Sequence, residues 1–122
     1  TTGKPWFYVN QNYTDINVAQ QEEDPDSILN FYRQAIALRK KLSCVRHGQY
    51  KEYFHNSDKF YMYSMEDGAQ KILVVCSFSE KDIKHAIPAG FDMDKAKLIL
   101  CNYPAPNRSK LRPYECKVYL WK

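Results

Sequence analysis

The chain has 122 residues, a length that suits one domain with one hydrophobic core. Hydrophobic residues make up 44% of it and charged residues 26%, which excludes an intrinsically disordered segment. The formal net charge of +4 is dispersed and the apolar runs are short, so the sequence predicts no nucleic-acid partner and no membrane partner. The chain begins at Thr1 without an initiator Met, and we expect it to be a piece of a longer protein.

The first 23 residues show neither a helical nor an alternating pattern. Their apolar and aromatic side chains are Trp6, Phe7, Tyr8, Val9, Tyr13, Ile16 and Val18. A connection this long without secondary structure is uncommon in a compact domain, and one this aromatic needs a surface to lie on. Two interpretations stay open: the surface belongs to another part of a longer protein, or the segment folds back over the domain that follows it.

The next segment, over residues 24–42, has the pattern of one amphipathic helix. Asp24 suits the N-cap and Pro25 the first helical position. Apolar residues then recur at spacings of three and four: Ile28, Phe31, Tyr32, Ala35, Ile36, Leu38 and Leu42. The basic run 39–41 lies at the carboxyl end of the predicted helix, where the helix dipole favours positive charge.

After Gly48 the pattern changes to alternation rich in Tyr, Val, Phe and Ile, which predicts β-strands. We place six antiparallel strands at residues 49–54, 60–65, 71–78, 84–87, 96–102 and 114–121. The run 72–76 is apolar on both faces, as in a central strand covered on two sides, and we expect the last strand to close the sheet. The predicted fold class is mainly β: an antiparallel β-sandwich, Greek-key-like, preceded by an irregular segment and one α-helix.

The four cysteines do not form a motif. They are Cys44, Cys76, Cys101 and Cys116. Because their spacing gives no Cys-x-x-Cys pair, we expect no zinc site, and three of them lie in strand-like runs where a thiol packs as a small hydrophobe. This usage favours a cytoplasmic location, although an even count leaves disulfides open.

The polar residues give no arrangement typical of an active site. The acidic cluster consists of Glu22, Glu23, Asp24 and Asp26, and we attribute it to the favourable helix dipole rather than to a metal or acid site. The three histidines, His47, His55 and His85, accompany no nucleophile motif, and the four glycines form no phosphate loop. We therefore predict no catalytic, cofactor-binding or metal-binding residue in this chain, and no cofactor.

Exposed aromatic rings on a β-sandwich are an alternative site, because they could stack against sugar rings. The candidates are Tyr50, Tyr53, Tyr61, Tyr63, Tyr114, Tyr119 and Trp121. Strands favour aromatic residues for cross-strand packing in any case, so we expect these rings to be mainly structural.

Several motifs occur in a distinctive order along the whole chain. They are Gly3-Lys4-Pro5-Trp6-Phe7-Tyr8-Val9-Asn10, Asn12-Tyr13, Ile16-Asn17-Val18, Asp24-Pro25-Asp26-Ser27-Ile28-Leu29-Asn30-Phe31-Tyr32-Arg33, Ile36-Ala37-Leu38-Arg39-Lys40, Leu73-Val74-Val75, Ser77-Phe78-Ser79, Asn102-Tyr103-Pro104 and Leu111-Arg112-Pro113-Tyr114-Glu115. This ordered set resembles glycoside hydrolase family 13, in its oligo-1,6-glucosidase and α-glucosidase branch.

The resemblance implies a carboxyl-terminal portion of such an enzyme. Residues 1–44 would be the remnant of the last loop and last helix of a (β/α)8 catalytic barrel, and residues 45–122 the carboxyl-terminal antiparallel β-sandwich. The family's Asp nucleophile, Glu acid–base and transition-state-stabilising Asp all lie upstream of the matched region, so none maps onto this chain. The parent enzyme would be a retaining α-glucosidase that hydrolyses α-glucosidic bonds in short oligosaccharides without an organic cofactor.

The resemblance also implies a partner and leaves the parent's substrate open. The partner would be the parent's own catalytic barrel, and oligosaccharide substrate would be met only through the parent. Trehalose-6-phosphate hydrolases, dextran glucosidases and sucrose isomerases share the same carboxyl-terminal part, so they are alternative parents.

Overall fold

The computed structural model describes residues 2–122 and divides the chain into two compact units, one ending at Gln34 and the other beginning at Ala35. The division falls inside a helix. The sequence-based boundary between residues 44 and 45 concerns the domains of a parent enzyme, and it stays a prediction.

The first unit contains short helices within the segment predicted to be irregular. A 3-10 helix spans Gln11–Thr14, and helix α1 spans Val18–Glu23. Each has an asparagine at its start, and the Asn17 side chain accepts a hydrogen bond from the Gln20 N–H at 3.0 Å. Sequence interpretation missed both helices, because four to six residues are too few to show a period.

Helix α2, Ile28–Lys41, begins later than the sequence predicted. The Asp24 carboxylate accepts a hydrogen bond from the Asp26 N–H at 2.9 Å, and the Asp24 carbonyl accepts one from the Ser27 N–H at 3.1 Å. These bonds hold residues 24–27 in a turn. The Ser27 hydroxyl then accepts a hydrogen bond from the Asn30 N–H at 3.2 Å, which makes Ser27 the helix cap. The prediction of Asp24 as N-cap was wrong because local side-chain bonding favoured a turn.

The second unit is an antiparallel β-domain preceded by helix α3, Ser43–His47. Its strands are β1 Gln49–Tyr53, β2 Phe60–Glu66, β3 Lys71–Ser77, β4 Ile83–Lys84, β5 Lys97–Cys101, β6 Lys110–Leu111 and β7 Cys116–Trp121. Five strands form one sheet in the order β1-β2-β3-β7-β5, and β4 pairs with β6. The final strand therefore lies inside the sheet between β3 and β5, so the expectation that it closes the sheet was wrong.

The predicted strands agree best with the structure where alternation is longest. β1, β2 and β3 lie within one residue of their predicted bounds, whereas 84–87 was predicted for a strand that spans only Ile83–Lys84. The strand β6 was not predicted at all. Two-residue strands carry too little pattern to be recognised, and their pairing depends on contacts distant in sequence.

The core lies on both faces of β3. On one face, Ile72 and Val74 belong to a buried cluster with Leu42, Cys44 and Leu120. On the other face, the buried cluster contains Met62, Leu73, Val75, Phe91 and Leu111. The end of the helical segment covers the first face and the small β4–β6 sheet with Phe91 covers the second, because Leu111 lies in β6. This two-sided cover confirms the predicted central strand and the mainly β, antiparallel fold class.

Candidate functional site

The first unit exposes an unusual concentration of apolar side chains. Trp6 is 93% exposed, Tyr8 is 78% exposed and Phe7 is 66% exposed. Further exposed apolar side chains in this unit are Val9, Tyr13, Ile16, Val18, Ile28 and Tyr32. We call this set the apolar lead-in surface. Large exposed apolar patches mark interaction sites, so this set is a candidate interaction surface.

The later part of the first unit, residues 21–30, is fixed by polar bonds. The Ser27 hydroxyl donates to the Gln21 carbonyl at 2.6 Å, and the Asn30 amide donates to the Gln21 and Asp24 carbonyls at 2.9 and 2.8 Å. Among residues 2–34, Ser27 is the one buried residue. Residues 21–30 thus have a defined conformation, although the unit has no hydrophobic core of its own.

The acidic cluster is divided by the structure. Glu22 and Glu23 lie in the last turn of α1, so the dipole explanation does not apply to them and was wrong for half of the cluster. Glu22 pairs instead with Arg33 at 2.6 Å, and Asp24 fixes the turn before α2. Within residues 2–122, no group of three or more potential metal ligands comes together.

The histidines are dispersed. His47 lies in the last turn of α3, and His55 lies in the turn between β1 and β2. His85 is half-buried beside the Phe60 ring, with the ring centroids 6.2 Å apart, and its burial lowers the pKa of the imidazole. The structure does not bring these three side chains together.

Three of the seven candidate sugar-stacking rings are packing residues. Tyr53 and Trp121 contact Phe91 edge-on, with centroids 5.7 and 5.2 Å apart, and the Trp121 Nε1–H donates to the Asp92 carbonyl at 2.8 Å. Tyr119 is buried. These three side chains therefore pack within the β-domain, as the sequence analysis expected, and do not form a sugar-stacking surface.

Three neighbouring tyrosines on β1 and β2 form a partly exposed cluster. The rings of Tyr50 and Tyr61 each lie 5.5 Å from the ring of Tyr63, tilted by 35° and 44°. The Tyr50 and Tyr61 hydroxyls are 2.5 Å apart, and the Tyr50 hydroxyl donates to Glu52 at 3.0 Å. The bond to Tyr61 raises the pKa of the Tyr50 hydroxyl. The remaining candidate, Tyr114, is exposed, and its hydroxyl lies 3.5 Å from a Glu80 carboxylate oxygen.

A buried charge cluster at the start of β7 was not anticipated from the sequence. Glu115 and Lys117 have no exposed side-chain surface, and their charged atoms lie 3.3 Å apart. Arg112 pairs with Glu115 at 2.8 Å and donates its backbone N–H to the same carboxylate at 2.8 Å. The Lys117 ammonium also donates to the carbonyls of Asn107 and Lys110. Burial alone would raise the pKa of the Glu115 carboxyl, but the bonds from Arg112 and the charge of Lys117 outweigh it and lower that pKa.

This cluster holds the link between β5 and β7. It ties Asn107 and Lys110, on that link, to Lys117 on β7. Because Glu115 pairs with both cations, and Lys117 also bonds backbone carbonyls, the arrangement is that of a structural clamp, although the buried Arg112 Nε has no hydrogen-bond partner. The sequence signal for it was an acid and a base two residues apart, Glu115 directly before β7 and Lys117 within it.

Comparison with known proteins identifies the family. Residues 1–48 match the model of the alpha-amylase catalytic domain. The chain is 36% identical to an oligo-1,6-glucosidase of Halalkalibacterium halodurans and 34% identical to one of Bacillus cereus, covering 100% of this chain and 23% of each relative. The structure of trehalose-6-phosphate hydrolase from Bacillus licheniformis superposes with a TM-score of 0.89 at 30% identity, covering 100% of this chain and 23% of that one.

The chain belongs to glycoside hydrolase family 13. It spans about a quarter of the length of these family-13 relatives, 23% in each case. A trehalulose synthase gives a TM-score of 0.88 at 30% identity over 98% of this chain and 22% of that one, so enzymes with different reactions share this part of the family fold. The expectation that this family-13 chain carries no catalytic residue stays a prediction.

In residues 2–122, none of the helices combines the length and apolar character needed to cross a bilayer.

Proposed function

We propose that this chain is the non-catalytic carboxyl-terminal part of a retaining α-glucosidase and stabilises the parent's catalytic barrel by packing against it. The parent would hydrolyse α-glucosidic bonds in short oligosaccharides, as the similarity to oligo-1,6-glucosidases supports. A trehalose-6-phosphate hydrolase, a dextran glucosidase or a sucrose isomerase is the alternative parent. The match of residues 1–48 to a catalytic-domain model supports the assignment of the first segment to the barrel.

The apolar lead-in surface carries this proposal. Burying one large apolar side chain contributes about 2 kcal/mol, and Trp6, Phe7 and Tyr8 leave most of this contribution unused in the free chain. The polar bonds among Gln21, Ser27 and Asn30 fix the start of α2, which carries Ile28 of the same surface, and this limits the entropy that this part loses on docking. An exposed apolar surface on a unit without its own hydrophobic core fits a segment that packs against the parent's barrel.

The acidic residues support a non-catalytic role. Retaining hydrolysis needs two carboxyl groups about 5 Å apart on either side of the scissile bond. Glu22 is instead paired with Arg33, Asp24 fixes a turn, and Glu115 is buried between Arg112 and Lys117. We therefore place the bond-breaking carboxylates in the parent's barrel.

The test is to add the chain to the separately produced catalytic barrel and to follow the melting temperature of the barrel. We expect the chain to raise it. Phe7→Ser should weaken the effect, because Phe7 belongs to the apolar lead-in surface. Phe78→Ser is the matched control, since Phe78 lies in the β-domain and its 64% exposure nearly equals the 66% of Phe7.

Two outcomes would contradict the proposal. One is an unchanged barrel melting temperature with the chain at a concentration of tens of micromolar. The other is an equal loss of effect in the two phenylalanine variants, which would show that general hydrophobicity and not the apolar lead-in surface is responsible.

The tyrosine cluster on β1 and β2 favours a second candidate function, oligosaccharide binding. Tyr50 is 51% exposed and Tyr61 36% exposed, so each offers ring surface to a sugar. NMR titration of the chain with isomaltose or a longer α-glucan should shift tyrosine ring signals if they bind, and Tyr50→Ala should abolish the shift. A flat titration would remove this candidate.

We also propose a cytoplasmic location for the parent. The support is cysteine usage: the four cysteines form no disulfide, and Cys44 is fully buried as a small apolar side chain. Fractionation of the source cells with an antibody to the chain tests this, and recovery outside the cytoplasm would contradict it.

A further inference from the structure

Two cysteines lie directly opposite each other in the centre of the five-stranded sheet. Cys76 on β3 is paired in register with Cys116 on β7. The Ser77 N–H donates to the Glu115 carbonyl at 2.8 Å, so the neighbouring pair is the hydrogen-bonded one. Cys76 and Cys116 therefore occupy a non-hydrogen-bonded position, where the Cα atoms are only about 4.5 Å apart and the side chains approach most closely.

The two sulfur atoms are already in contact. The distance from Cys76 Sγ to Cys116 Sγ is 2.9 Å, and both residues are partly exposed rather than sealed in the core. A disulfide has a sulfur–sulfur bond of about 2.05 Å and Cα separations from about 4.4 to 6.8 Å. The sulfurs must thus approach by only about 0.9 Å, and the Cα spacing of this strand pair already suits the bond.

The contact between the two thiols changes their acidity. The hydrogen bond between them lowers the pKa of Cys76 below its ordinary value, and the same bond, together with burial, raises the pKa of Cys116. The contact therefore favours the thiolate form of one member of the pair, and the thiolate is the nucleophile in disulfide exchange.

The other two cysteines are poor competitors. Cys44 has no exposed surface, and burial raises the pKa of its thiol. Cys101 directs its thiol toward the Glu115 carboxylate at 3.6 Å, and its pKa is raised by burial and by that negative charge. Reaction should therefore be confined to one pair.

We propose that Cys76 and Cys116 form a reversible disulfide when the chain meets a low-molecular-weight disulfide such as oxidised glutathione. The thiolate of one cysteine of the pair attacks one glutathione sulfur, the glutathione S–S bond breaks, and one glutathione thiolate leaves. The other cysteine then loses its proton to solvent and attacks the sulfur of the first, which expels the second glutathione thiolate. The two protein thiols lose two electrons, and one oxidised glutathione is reduced to two glutathione molecules.

The bond would join β3 to β7 without separating the strands. It would also close residues 77–115 into a covalent loop, which restricts the unfolded chain. The oxidised chain should therefore unfold at a higher temperature than the reduced chain. This inference does not depend on the proposed function, because both cysteines belong to the same β-domain.

The test is to incubate the full chain in glutathione buffers of increasing oxidised fraction, quench with acid, alkylate free thiols and map the peptides by mass spectrometry. We expect a peptide pair joined through Cys76 and Cys116, with Cys44 and Cys101 alkylated, and recovery of all four thiols after dithiothreitol. Cys116→Ser should instead retain one glutathione on Cys76, because the second thiol is missing. Cys101→Ser is the matched control and should still form the bond.

The map of the unaltered chain decides the matter without relying on a variant that folds poorly. Alkylation of both Cys76 and Cys116 throughout the series would overturn the proposal. A crosslink that involves Cys44 or Cys101, or that joins two chains, would overturn it as well.

Discussion

Replacing Lys117 with methionine tests the buried charge cluster most severely. The Lys117 side chain has no exposed surface, and its ammonium group bonds the carbonyls of Asn107 and Lys110 and pairs with Glu115. Methionine fills similar space but provides no donor. The two carbonyls belong to exposed residues and can bond water instead. The loss of each hydrogen bond should therefore lower the free energy of unfolding by about 1 kcal/mol, the lower end of the range for an unsatisfied polar group.

The carboxylate of Glu115 adds a further cost in the same variant. It loses one counter-charge, but Arg112 still pairs with it at 2.8 Å, so the cost stays below the 3–5 kcal/mol or so that an entirely uncompensated buried charge brings. We expect Lys117→Met to lower the free energy of unfolding by about 3 kcal/mol in total. For a domain of this size the melting temperature should fall by about 12 °C or more.

The assay is urea unfolding followed by circular dichroism and tryptophan fluorescence, with the free energy taken from the midpoint and slope. Lys84→Met is the matched control, since Lys84 is exposed on β4 and the same replacement there should change stability by less than about 0.5 kcal/mol. A Lys117→Met chain as stable as this control would contradict the prediction, because it would show that the ammonium group contributes nothing to stability in its buried position.

Three further predictions follow from the same structure. Glu115→Gln should make the free energy of unfolding less dependent on pH in the acid range. The pKa of Glu115 is lowered in the folded chain, so its carboxylate stabilises the fold above the unfolded pKa, near 4.5, and this stabilisation is lost as the pH falls through the folded pKa. Urea unfolding midpoints measured between pH 6 and pH 3 check this. Leu42→Ala, at a buried position, should lower the free energy of unfolding in urea by about 2–5 kcal/mol, whereas Ile36→Ala, at a position 48% exposed, should lower it by less than about 1 kcal/mol. Equal losses in the two variants would contradict the assigned core. The chain alone should not release nitrophenol from a chromogenic α-glucoside, and turnover that co-purifies with the chain would disprove its non-catalytic role.

The sequence predicts the fold where its pattern is long. The alternation through residues 60–65 and the doubly apolar run 72–76 located β2 and β3 within one residue, and they indicated correctly that β3 is covered on both sides. The polar turn at Asp67, whose carboxylate accepts hydrogen bonds from the N–H groups of Ala69 and Gln70, was likewise visible in the residues. Local patterns report local structure well.

The errors arose where distant or competing contacts decide. The pattern of β7 does not show that β5 pairs along its other side, so its interior position could not be read from its own residues. Asp24 is a good helix cap by type, but its side chain bonds Asp26 in a turn and leaves the cap to Ser27. In both cases the sequence allows more than one partner, a neighbouring strand for β7 and a backbone N–H for Asp24, and only the folded structure decides between them.

The candidate site was only partly predictable. The aromatic residues of the first segment stood out in the sequence, and the structure shows Trp6 and Tyr8 exposed. The buried Lys117 was not foreseen, because a lysine in an alternating strand is ordinarily solvent-exposed. Its burial depends on carbonyls from the preceding link, whose path is set by tertiary structure.

The ring environment of Trp6 shows whether the parent's catalytic barrel covers the apolar lead-in surface, as we propose. The chain has two tryptophans, and 5-fluorotryptophan labelling gives each a fluorine NMR signal. Trp6 is 93% exposed, whereas Trp121 packs against Phe91 and serves as the internal control.

The measurement compares the fluorine shifts in H2O and D2O with and without an excess of unlabelled barrel. We predict that the barrel moves the Trp6 signal and removes its solvent isotope shift, while the Trp121 signal changes little. A Trp6 signal that keeps the isotope shift of a water-exposed ring in the presence of excess barrel would contradict the proposal that the barrel covers this surface.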